Sequence, residues 1–232
     1  MQDHEKEALS QSYMEGRVLL LDKPYHWTSF DVVNKIKSLL RYRLGLKKIK
    51  VGHAGTLDPL ATGLLIVCTG KATRQIESFQ GLDKTYTGTF YIGKTTPSFD
   101  LEKEPDKDFP VAHITKDLLL VTASSLVGEQ TQVPPLFSAK KISGKRAYTH
   151  ARAGRETQLK ANNINIKAFE ITRIAMPEVD FRVVCSKGTY SRALARDYGE
   201  KLGSGAYLGA LRRTHIGAYT VEDAININEL EL

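Results

Sequence analysis

The stretch Gly52-His53-Ala54-Gly55-Thr56-Leu57-Asp58-Pro59-Leu60-Ala61-Thr62-Gly63 constrains this chain most, because it runs directly into the continuous apolar segment Leu64-Leu65-Ile66-Val67-Cys68. So short and so apolar a segment predicts a strand covered on both faces. The loop before it is therefore anchored to the core. Proline after Asp58 pushes that residue out of the α region, so its carboxylate projects from extended backbone. Gly52, Gly55 and Gly63 can take backbone angles closed to other residues and let a bulky group approach the main chain. An isolated Asp-Pro is ordinary turn chemistry. Here the surrounding pattern predicts a rigid platform that presents one carboxylate.

A chain of 232 residues with 41% hydrophobic content can bury one sizeable core. The reading is one catalytic domain over 16–232, preceded by a polar, acidic segment over 1–15 that is expected to be a flexible tail. A formal charge of +7 favours a polyanionic partner. Cys68 and Cys185 lie far apart in apolar runs, which suggests neither a disulfide framework nor a zinc site and fits a reducing cytoplasm. No apolar run approaches membrane-spanning length.

Along the chain, Arg17 to Asp22 reads as a strand. Ser29 is expected to cap a helix whose apolar positions Val32, Val33, Ile36, Leu39 and Leu40 recur at helical spacing. Arg41, Arg43, Lys47, Lys48 and Lys50 form a basic approach to the Asp58 loop. Further strands are predicted over 84–92, 164–174, 179–185 and 206–216. Helices are predicted over 72–79, 118–126 and 190–202, with a basic helix ending before Gly154. The charged, proline-flanked stretch 97–110 reads as a loop. Strands and helices do not alternate strictly, so the fold class is α+β, with a mixed, mainly antiparallel sheet.

The twelve-residue loop resembles the Gly-His-x-Gly-Thr-Leu-Asp-Pro-x-Ala-Thr-Gly signature of the TruB-type tRNA pseudouridine synthases. Other segments extend the likeness. Asp22-Lys23-Pro24-Tyr25-His26-Trp27-Thr28-Ser29 is similar to the family's opening motif, with His26 where glycine is usual; left-handed backbone there would be costly for histidine. Lys84-Thr85-Tyr86 looks like the segment whose tyrosine stacks on the target base. Gly93-x-x-Thr96-x-Ser98-x-Asp100 is a weaker match that reads as positional. Gln132 to Lys141, with Gly144, Arg146, Tyr148 and 151–154, resembles a stretch that holds the RNA arm. Cys185 to Arg192 resembles the motif whose arginine pairs with the catalytic aspartate, and Leu208 to Gly217 resembles a strand beneath the site.

The resemblance implies a pseudouridine synthase fold, its sheet flanked by helices and RNA-binding loops. It implies isomerisation of the T-loop uridine at tRNA position 55 by base flipping, with an aspartate nucleophile. On that basis Asp58, Tyr86 and Arg192 are the expected catalytic residues. His53, Lys23, Gly52, Thr56, Lys140, Lys141, Arg146 and Tyr190 are the expected substrate-binding ones. Desolvation would raise the Asp58 pKa and an adjacent arginine would pull it back down. The expected partner is the tRNA T-arm stem-loop, with no cofactor, no metal, no membrane and no obligate protein partner. The family's separate C-terminal RNA-binding domain, of the PUA-like kind, is expected to be absent.

Two other classes meet obstacles in the residues. A non-catalytic RNA-binding module explains the charge and aromatics but leaves the Asp58 loop without purpose. Glycoside hydrolysis ordinarily needs two carboxylates, and the motifs supply one.

Overall fold

The computed structural model describes residues 3–135, 141–142, 145–146 and 160–230. In chain order the elements are α1 (Asp3–Glu15), β1 (Val18–Lys23), α2 (Ser29–Leu44), β2 (Val51–His53), β3 (Ala61–Thr69), a 3-10 turn (Gly70–Gln75), α3 (Ile76–Gly81) and β4 (Lys84–Ile92). Then follow β5 (Lys94–Thr95), β6 (Lys107–Asp108), α4 (Lys116–Ser125), β7 (Gly128–Gln132), β8 (Lys141–Ile142) and β9 (Lys145–Arg146). The remainder comprises β10 (Asn162–Ala175), β11 (Glu178–Cys185), α5 (Ser191–Lys201), β12 (Ala206–Ile216), β13 (Tyr219–Thr220), a 3-10 turn (Val221–Asp223) and β14 (Ile225–Asn226). The chain divides into two compact units, Met1–Thr85 with Arg212–Leu232, and Tyr86–Leu211. Strand pairing is mixed and mainly antiparallel, an α+β arrangement. The basic helix expected before Gly154 lies outside the described residues.

In the first unit β3 pairs antiparallel with β1 and with β2, and β1 pairs parallel with β14. Successive strand residues point to opposite faces. Leu65 and Val67 therefore enter a cluster with Val32, Ile36 and Leu40 of α2, while Leu64, Ile66 and Cys68 enter another with Phe79 and Ile216. The strand after the Asp58 loop is covered on both faces, as its composition requires.

Two local readings need correction. Thr28 caps α2, and Ser29 does not. The Thr28 hydroxyl accepts from the Asp31 amide at 3.0 Å, and the Asp31 carboxylate accepts from the Thr28 amide at 2.8 Å. This reciprocal capping box needs the acidic residue three positions on, which Asp31 is for Thr28. The second concerns the expected flexible tail: Asp3–Glu15 forms a helix. Its residues are largely good helix formers, and its last turn is tied down. Tyr13 is buried, its carbonyl accepts from Thr69 Oγ1 at 3.0 Å, and Glu15 pairs with Lys71 at 2.7 Å.

In the second unit β10 pairs antiparallel with β7 and β11. Phe90, Phe169, Phe181 and Tyr198 form an aromatic core, with Phe90 and Phe181 stacked at 4.1 Å between centroids. The Tyr198 hydroxyl donates to the Leu119 carbonyl at 2.9 Å, joining α5 to α4, and burial pushes its pKa up.

Candidate active site

Three supports hold the Asp58 loop within the first unit. The Ser29 hydroxyl, freed from capping, accepts from the Leu57 amide at 2.8 Å and lies 3.2 Å from the Leu57 carbonyl oxygen. The His26 amide donates to the Pro59 carbonyl at 2.8 Å. Buried Arg213 donates from Nε to the Leu64 carbonyl at 2.8 Å and from Nη2 to the Gly55 carbonyl at 3.1 Å. Backbone is thus fixed at residues 55, 57, 59 and 64, while Asp58 itself stays partly exposed. Gly63 has φ 106°, and a Cβ there would meet the Arg213 carbonyl oxygen at 2.3 Å, so this close approach excludes any other residue. Gly52 needs no unusual angle; a Cβ on it would meet Ile76 Cδ1 at 2.8 Å.

The opening motif is part of the same construction. Lys23 is fully buried, and its ammonium donates to the carbonyls of Pro24 at 2.9 Å and Trp27 at 2.5 Å. Burial pushes its pKa down to about 8, the Asp58 charge opposing this and the Arg213 charge adding to it. His26 takes left-handed backbone, with φ 66°, despite the cost this has for histidine. His53 sits on β2 with Nδ1 buried and out of hydrogen-bonding geometry with any partner. Burial and then Arg213 lower its pKa; the nearby Gly55 carbonyl acts in the opposite direction. Thr56 is exposed in the loop.

In the second unit a buried cation is held by its own neighbours. Arg192, in the first turn of α5, is buried; its Nε lies 3.5 Å from Asp100 Oδ2, and Nη1 donates to the Ser98 carbonyl at 3.4 Å. The turn carrying Asp100 is itself fixed. Thr96 Oγ1 donates to the Asp100 carbonyl at 2.7 Å, and Asp100 Oδ1 accepts from the Glu102 amide at 3.0 Å. The Gly93 to Asp100 motif is therefore a built receptor for Arg192. Buried Gln132 accepts from the Tyr190 amide at 2.8 Å and donates to the Tyr190 carbonyl at 3.3 Å, setting the start of α5. Tyr86 is buried on β4.

Lys141 and Arg146 are register partners in the antiparallel β8–β9 pairing. Lys140 lies outside the described residues. Sequence reasoning missed the support roles of Arg213, Ser29 and Gln132 and undervalued Asp100. The Leu208 to Gly217 match pointed at the strand carrying Arg213 without singling out the residue. Among the described residues no cluster of metal-ligating side chains occurs, and no helix is long and apolar enough to cross a membrane. Cys68 is buried, and burial raises its pKa to about 11, so it offers no thiolate nucleophile at neutral pH.

Residues 41–191 match the model of the TruB family pseudouridylate synthase N-terminal domain, and residues 192–232 match that of the tRNA pseudouridylate synthase B C-terminal domain. The chain belongs to the TruB family. It is a pseudouridylate synthase, and hence an isomerase. It is 57% identical over 222 residues to a tRNA pseudouridine synthase B of Flavobacterium johnsoniae, covering 95% of this chain and 97% of that one. A tRNA pseudouridine synthase B of Phocaeicola vulgatus is 54% identical, over 93% of this chain and 92% of its own. The fold is similar to that of a chain in a Cbf5-Nop10-Gar1 complex, with TM-score 0.72 and 29% identity over 96% of this chain. The match spans 55% of that longer chain. A second similar structure, an H/ACA RNP bound to a substrate RNA containing 2'-deoxyuridine, has TM-score 0.68 and 27% identity, covering 94% of this chain and 53% of that one.

Proposed function

We propose that this chain converts the T-loop uridine at tRNA position 55 to pseudouridine. The observation that carries the reading is 57% identity, over nearly the whole of both chains, to a relative named tRNA pseudouridine synthase B. The substrate RNA in the structurally similar H/ACA complex agrees with RNA as the partner. The chemistry breaks the bond between N1 of uracil and C1' of ribose, turns the base, and joins C1' to C5. A proton leaves C5 and one is gained at N1, so no redox partner is consumed.

In this reading Asp58 is the nucleophile, held out on a fixed backbone. Arg192 supplies a positive charge to the reaction, and Tyr86 stacks on the base and accepts the C5 proton. The target is flipped from its loop. His53 and Thr56 contact the nucleotide, and Gly52 presents main chain to it. Tyr190, Lys140, Lys141 and Arg146 bind the T arm. Lys23 acts on the substrate through the loop it grips. Two free, buried cysteines suit work in a reducing cytoplasm.

The test is to incubate the protein with a uniformly labelled tRNA transcript and map pseudouridine. Conversion confined to the T-loop uridine supports the reading. Conversion elsewhere would refute the site, and tight binding without conversion would leave an RNA-binding module.

A further inference from the structure

Neither the fold nor the chemistry of Asp58 accounts for the strained turn at His26. Glycine would adopt φ 66° freely, whereas histidine does so only against steric resistance. The turn gains nothing inward from the imidazole. His26 is exposed, its amide already serves Pro59, and Lys23 fixes the turn through the Pro24 and Trp27 carbonyls. The ring meets Tyr25, with centroids 4.2 Å apart and planes inclined by 59°. Tyr25 is itself 44% exposed, so two aromatic rings face solvent in contact with each other. The main chain beneath them bonds to Pro59, the residue after Asp58.

A strained residue that holds an exposed ring beside a reactive loop indicates a contact made with something outside the chain. Every base has a π face, and flipping one nucleotide from an RNA loop leaves its neighbours unstacked. We infer that Tyr25 and His26 form a stacking platform for an unpaired base of the substrate RNA next to the uridine delivered to Asp58. This rests on the reading that the substrate is an RNA stem-loop. A platform fixed through Pro59 keeps its base at a constant distance from the nucleophile, so it aligns the target as well as binding it.

The experiment measures equilibrium binding of a T-arm stem-loop, and of a fully paired duplex of equal charge, to the full chain carrying Asp58→Asn. It compares that parent with His26→Gly, Tyr25→Ala and Tyr25→Phe added, and melts each protein. Tyr25→Ala should weaken stem-loop binding about tenfold, the scale of one lost base stack. His26→Gly should weaken it several-fold while the protein melts at the same temperature or higher, because the strain is removed. Tyr25→Phe should bind like the parent, and the duplex should be indifferent to all three. Unchanged stem-loop affinity in Tyr25→Ala and His26→Gly overturns the platform. So does an equal loss on the duplex, which marks contact with the backbone, or a lower melting temperature in His26→Gly, which marks a purely structural role. Wild-type protein that fails to convert the stem-loop uridine would instead overturn the substrate reading.

Discussion

The Asp58 loop and the Arg192 pocket solve opposite problems. Around Asp58 the supports all grip main chain, at Gly55, Leu57, Pro59 and Leu64, and the carboxylate is left partly open. Around Arg192 the side chain itself is gripped and buried, with Asp100 and the Ser98 carbonyl beside it. The proposed nucleophile has to meet its substrate, so only its backbone can be fixed in advance. The cation proposed to support it can be buried, but a buried charge needs an ionic partner. Asp100 is one such partner for Arg192.

Substitutions can break this contrast, and the largest effect belongs to the proposed nucleophile. Asp58→Asn should abolish pseudouridine formation in a tritium-release or mapping assay while tRNA affinity stays within a few-fold, because size and loop supports are kept; residual turnover near wild type would remove Asp58 from the chemistry. Asp100→Ala deprives a buried guanidinium of an anionic neighbour and should cost about 3 kcal/mol in chemical denaturation. It should also lower kcat more than KM, and a variant as stable and active as wild type would mean Arg192 needs no such receptor.

Ser29→Ala leaves the Leu57 amide unpaired in the interior and should cost about 1–2 kcal/mol. Its kinetic defect should be milder than that of Asp58→Asn, since the carboxylate is displaced and not lost. The smallest effect is a pH dependence. Lys23 has a folded pKa of about 8, below its ordinary value, so between that pH and about 10.5 the unfolded chain binds more protons. Stability linked to this group therefore rises with pH across that window. Denaturation at pH 7.5 and pH 10 should show a rise in wild type that is smaller in Lys23→Met, and identical pH slopes would show that Lys23 carries no linked proton.

The platform was legible in the sequence because its parts are contiguous: the Asp-Pro step, the glycines and the apolar strand state one construction over 52–68. The Arg192 receptor was not, because it gathers Ser98, Asp100, Gln132 and Tyr190 from segments that no local pattern links. Arg213 shows another limit. Arg212 and Arg213 are adjacent in a strand and point to opposite faces. Arg212 pairs with part-buried Asp22 at 2.7 Å, whereas Arg213 is buried against carbonyls. Residue type gives no means of telling which of the two turns inward; the carbonyls left unpaired by the Gly55 to Leu64 loop decide it. The α1 helix was missed because its burial rests on few residues, chiefly Tyr13 with Leu9 beside it.

The Leu57 amide, bonded to Ser29 in the interior, is shut away from solvent in the segment that leads into a strand covered on both faces. A segment held in that way acts as a mould and not as a lid: opening it would break the buried Leu57 bond and the Arg213 contacts. The reshaping needed to bring a uridine to Asp58 then falls on the nucleic acid. Turnover would accordingly report how readily the RNA opens. Base changes that loosen the target loop without touching the uridine should speed modification by an unaltered protein, and changes that stiffen it should slow modification by as much as they raise the cost of opening.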